Sequence, residues 1–193
     1  MEIEIKANKI KAPLKGKDEW LILKPEEEVR QKYICRLVNH YGFSIEQMEQ
    51  EVIVSNTKRG LGAARADIII YKDAESKSKR KNAVIIIECK SDSIQIRKED
   101  YFQGANYASM CDAKFFVTTN LKETKVFKVV KGEIPKQLEE VINIPNAKAI
   151  MINKTLSASN KMTLPFTGMS KTKRASKRIT FKLIQVSKTP AVT

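Results

Sequence analysis

The chain has 193 residues, 42 % of them apolar and only one histidine, His40, which allows one hydrophobic core plus some tail; no apolar run approaches the length of a membrane span, and no signal pattern is expected before the first charged residues. Its three cysteines, Cys35, Cys89 and Cys111, are too scattered for a disulfide framework or a clustered zinc site, so a reducing cytoplasm is expected. The net charge of +14 is uneven: from Lys148 onward there are ten Lys or Arg and no Asp or Glu, which leaves +4 for the first 147 residues.

In chain order, residues 1–19 form a Lys-rich segment, alternating in "EIEIK" and followed by "KIKAPLKGKDE". "WLILK" reads as a short strand or entry segment into a helix. Pro25 suits a first helical turn, and Glu26, Glu27 and Glu28 suit the positive end of its dipole. Val29, Tyr33 and Leu37, flanked by Ile34 and Val38, make the apolar stripe, and Gly42 is the expected C-terminal stop. Three strands follow: Glu49–Ser55, Ala66–Tyr71 and "AVIIIECK". The last two are joined by an eleven-residue polar turn, "KDAESKSKRKN". "RKEDYFQGANYASMC" reads as a helix, "AKFFVTTN" and "KVFKVV" as strands, and "IPKQLEEVIN" as a short final helix. The order predicts an α/β fold with a central mixed sheet flanked by helices. The domain is expected over 20–147, between the basic segment 1–19 and a poorly ordered basic tail over 148–193. That tail suits nucleic acid through counterion release, or is a solvated extension.

The strand "VIIIECK" ends in chemistry. Alternation places Val84, Ile86, Glu88 and Lys90 on one face and Ile85, Ile87 and Cys89 on the other. If the preceding strand pairs with it antiparallel, Asp67, which opens "DIIIY", comes beside Glu88 and Lys90. Two carboxylates can share Mg²⁺ (or Mn²⁺), which polarises a phosphoryl group and helps deprotonate water. A lysine beside them can orient that water or offset transition-state charge. The plainer reading of an isolated E-x-K is an ion pair in which Lys90 neutralises a half-buried carboxylate.

"RAD" followed some twenty residues later by "ECK" resembles the PD-(D/E)xK nuclease motif, with Ala66 at the proline position. "PEEEVRQ" is similar to the opening motif of the N-terminal nuclease domain of type I restriction enzyme R subunits. "QGANY", with Gln103 and Tyr107 at i and i+4, resembles the Q-x-x-x-Y helix of this subgroup and of RecB-like exonucleases; "FFVTTN" also matches. The resemblance covers roughly Trp20 to Val130. It implies a restriction-endonuclease-like fold and Mg²⁺-dependent cleavage of double-stranded DNA, with the target chosen by other subunits or domains. Asp67, Glu88 and the Cys89 carbonyl would then hold the metal and Lys90 would be the catalytic lysine. Glu26, or Glu27 beside it, would complete the metal's outer shell. Gln103 and Tyr107 would touch DNA or brace the site; Arg30 and Gln31 would be structural or contact phosphate. In related proteins this domain heads a longer chain with a motor or a methyltransferase, yet neither G-x-x-x-x-G-K-[ST] nor D/N-P-P-Y/F occurs here. Restriction–modification subunits, or further domains of a longer chain, are therefore expected partners. The alternative is a non-catalytic DNA-binding or assembly module that keeps the fold.

Overall fold

In the computed structural model, which describes residues 1–56, 63–130 and 137–150, the Lys-rich start folds into a small antiparallel sheet. Its strands are β1 (Ile5–Lys6), β2 (Lys9–Lys11) and β3 (Trp20–Ile22). Alternation explains it: Ile10 turns inward and is fully buried while Lys9 stays in solvent. The pairing of Lys11 with Trp20 joins the basic segment to the residues that follow it.

Helix α1 (Pro25–Asn39) begins with Pro25 and carries Glu26, Glu27 and Glu28 in its first turn, as expected. It ends at His40, an exposed residue whose backbone N–H bonds the Arg36 carbonyl. Gly42 then takes φ +72, the left-handed step that turns the chain toward the buried Phe43.

The main sheet has six strands in sequential order. They are β4 (Met48–Asn56), β5 (Ala63–Tyr71), β6 (Ala83–Cys89), β7 (Phe115–Thr119), β8 (Thr124–Val130) and β9 (Gln137–Val141). Only β6 and β7 run parallel, joined by α3 (Lys98–Met110) as a crossover helix. The polar β5–β6 connection holds a one-turn helix, α2 (Ala74–Ser78), capped where the Ser76 N–H donates to Asp73. The two faces of the sheet bury different helices. Val29, Tyr33, Ile34 and Leu37 of α1 pack with Ile68, Ile70, Ile85 and Ile87, whereas Ala108 of α3 packs with Ile69, Ile86 and Phe116. This is the predicted central mixed sheet flanked by helices. Strand β6, buried along its whole length, is the rail between the layers.

One expected element is corrected. Residues 137–141, read as part of a short helix, form β9, antiparallel to β8 with Val129 opposite Leu138 and Val126 opposite Val141. Without it, β8 would present a row of unpaired backbone groups at the sheet edge, and pairing there outweighs local helix preference. Residues 151–193, which hold most of the basic tail, lie outside the described residues.

Candidate metal and nuclease site

The register decides the site. In the β5–β6 ladder Ile68 pairs with Ile87, so the next position sets Asp67 opposite Glu88. Directly opposed residues of an antiparallel pair share a face. Both carboxylates are nearly buried. Asp67 Oδ2 accepts the Cys89 N–H at 2.7 Å, a bond across the two strands that holds the aspartate at the sheet's end. Lys90 Nζ lies 3.3 Å from Glu88 Oε1, so the E-x-K pair does point one way. The Cys89 thiol is fully buried and packs with the α1-side core. Burial pushes its pKa well up, so it stays a protonated, packed group.

The first turn of α1 closes the site from one side. Arg30 Nη2 donates to Asp67 Oδ1 at 2.5 Å, Nη1 donates to Glu27 Oε2, and Nη2 lies 3.3 Å from Glu26 Oε1. The two candidate glutamates therefore differ. Glu27 is buried and committed to Arg30 and to Gln31, whose Nε2 donates to it at 2.8 Å and to Gln50 at 3.0 Å. Glu26 is exposed, with its pKa raised by partial burial and by Asp67. Arg30 itself is closed in by carboxylates, its side chain only 7 % exposed. On α3, Gln103 lies at a helical position whose side chain is outside the described residues. Tyr107, one turn later, packs against the α3-side core.

Two residues with no legible role in the sequence belong here. Asp100 sits at the third position of α3, accepts the Arg97 N–H at 2.8 Å and lies 3.6 Å from Lys90 Nζ. It thus caps the helix and faces the lysine from the other side. No capping-box pattern announces it, because the cap position is Arg97 rather than Ser or Thr. Glu51 of β4 lies between the pairs Gln50–Ile68 and Val52–Ala66, hence opposite Asp67. Its φ is +54, a left-handed conformation that a glutamate rarely takes. No sequence pattern announces that.

Electrostatics follow from this crowding. Burial, then the like charge of Asp67, lift the Glu88 pKa to about 7 despite Lys90. Burial pulls Lys90 down, but Glu88, Asp100 and Asp67 more than offset it, and its pKa ends above the ordinary lysine value. Lys90 is a fixed cation at neutral pH. Carboxylate oxygens are the donors Mg²⁺ prefers, so Asp67, Glu88 and Glu26 suit it in kind. Thr118, paired in register with Glu88, adds a buried hydroxyl with no hydrogen-bond partner among the described residues. Among those residues no three acidic side chains form a ready cation cage; Glu26 and Glu27 of α1 and Asp67 of β5 gather on Arg30 instead.

A family model described as type I restriction enzyme R protein N terminus matches residues 25–145. No curated protein matches the chain. A solved fragment, described as a putative HsdR subunit of a type I restriction enzyme from Vibrio vulnificus, is 16 % identical with a TM-score of 0.49. The match covers 72 % of this chain and 26 % of that one, so the chain spans about a quarter of the fragment's length.

Proposed function

The chain belongs to the family of type I restriction enzyme R protein N-terminal domains, and from that membership we propose that it hydrolyses DNA phosphodiester bonds with Mg²⁺ as cofactor. One observation carries the reading: the fold sets Asp67 opposite Glu88 at the sheet's end, with Lys90 bonded to Glu88. Asp67 and Glu88, with Glu26 behind them, would hold the cation, which supplies charge neutralisation of the phosphate and a more acidic bound water. Lys90 is held protonated between Glu88 and Asp100. In this reading it would donate a hydrogen bond to a phosphate oxygen and offset the charge that grows there as the bond breaks. Glu88, buried beside Asp67, carries a proton through weakly acidic pH and would have to lose it to hold a cation. Double-stranded DNA is the proposed substrate, and restriction–modification subunits or further domains of a longer chain choose the target.

The competing reading, a silent DNA-binding or assembly module, draws on the Arg30–Asp67 ion pair, which already neutralises one candidate ligand. Plasmid nicking by the purified chain with Mg²⁺ or Mn²⁺ at low salt separates the two. Nicking by the wild type, reduced by at least about a hundredfold in Lys90→Ala with DNA binding retained, is expected. Equal nicking by both proteins overturns the catalytic assignment of Lys90, and none by either favours the silent module.

A further inference from the structure

We propose that Arg30 is a resident counter-ion that competes with a divalent cation for Asp67, and that Glu51 receives its guanidinium when the cation enters. The inference rests on the metal-site reading above. Both oxygens of Asp67 are engaged, Oδ1 by Arg30 at 2.5 Å and Oδ2 by the Cys89 N–H at 2.7 Å. The Cys89 bond is fixed by the strand pairing, so the Arg30 contact is the one that can yield. A guanidinium does not lose its proton in a protein and can release Asp67 only by moving.

The surroundings give it a place to go. Four carboxylates enclose Arg30: Glu26, Glu27, Glu51 and Asp67. Three are within contact, but Glu51 Oε1 stands 3.8 Å from Nη1, too far for a hydrogen bond. Its other oxygen is tied at 2.6 Å to Lys15 of the loop after β2. Glu51 holds that position through a left-handed backbone at the rung opposite Asp67. Such strain persists only where the surroundings enforce it, and it gathers at sites that switch. A shift of roughly an ångström brings the guanidinium into hydrogen-bond range of Glu51. It would stay anchored on Glu27 while Asp67 Oδ1 is freed. With Arg30 in place, a cation must displace a charge-assisted bond before it gains Asp67, and the apparent affinity falls by the fraction of chains in which Arg30 has moved.

The test is titration of the full chain with Mn²⁺ alone by calorimetry, on wild type, Arg30→Gln, Glu51→Gln and the double variant. Arg30→Gln is expected to bind Mn²⁺ about tenfold more tightly than wild type, a change of about 1.4 kcal/mol. Glu51→Gln is expected to bind roughly fivefold more weakly, and to lose that effect when Arg30 is already Gln, because Glu51 acts through Arg30. Unchanged affinity in Arg30→Gln, or additive effects in the double variant, overturns the competition and leaves the metal site standing. No Mn²⁺ binding by any of the four proteins overturns the metal site and the competition together. Should Arg30→Gln fail to fold, the wild type carries the test. The buried Arg30 Nε–H resonance, assigned by its loss in Arg30→Lys, is then followed during Mg²⁺ titration. A shift that saturates with metal binding supports the displacement, and a resonance that stays fixed while metal binds overturns it.

Discussion

Glu88 is 6 % exposed, and burial beside Asp67 lifts its pKa from the ordinary 4.5 to about 7. In the folded chain it keeps a proton at pH values where the unfolded chain has already lost it. Its contribution to stability is therefore fully present below about pH 4.5 and is lost as pH rises toward 7. Urea denaturation is expected to show stability falling on the order of 3 kcal/mol over that window and levelling above it. Glu88→Gln should remove most of the slope; Glu26, raised in the same sense, accounts for what is left. A slope that survives Glu88→Gln unchanged would place the proton elsewhere. Because a cation binds the deprotonated carboxylates, Mg²⁺ should raise the melting temperature more at about pH 8 than at about pH 5.5. The E-x-K pair was legible from strand alternation alone, and so was its plainer reading as an ion pair. The ion pair is present, since Lys90 does bond Glu88. Asp100 on the far side of the lysine was not legible, because α3 folds back over the sheet before the two meet.

At the scale of elements, the helix carrying "QGANY" shows how a motif read for its polar ends hides a packing requirement at its centre. Gly104 is buried, and a Cβ built on it would lie 1.7 Å from Phe116 Cε2 on β7. Glycine there lets α3 approach the sheet closely enough to bury Ala108 against Ile86 and Phe116. Gly104→Ala is expected to destabilise the fold by about 3 kcal/mol, since neither the backbone of α3 nor the buried ring can yield freely. Phe116→Leu in the same chain should restore part of that stability. Thermal or urea midpoints for wild type, Gly104→Ala and the double variant measure it, and an alanine tolerated at no cost would mean that α3 sits farther from β7. Strand β9 teaches the same lesson in reverse. "QLEEV" is compatible with either a helix or a strand by its own periodicity, and the open edge of β8 chose between them.

At the scale of the whole molecule, charge separates from fold. The first 147 residues carry +4 of the total +14, and the residues from Lys148 on are free of Asp and Glu. Deletion after Lys148 is expected to flatten the dependence of DNA affinity on salt, by a slope of up to about nine tenths of a unit for each phosphate that the tail no longer neutralises. An unchanged slope, read by fluorescence anisotropy across a salt series, would assign DNA binding to the folded part. By itself, the sequence determined α1 with its proline start and acidic first turn. It also determined the apolar strands through Thr119, the crossover helix, and the common face of Glu88 and Lys90. Each depends on residues within a turn or a strand of one another, where periodicity and caps act directly. Only the tertiary structure decided that Asp67 stands opposite Glu88, that Arg30 reaches Asp67 from 37 positions away, and that Glu51 of β4 takes a positive φ at the rung opposite Asp67. Those arrangements depend on the register between strands and on where a helix docks, which are settled by burial of the whole core rather than by any short stretch of chain.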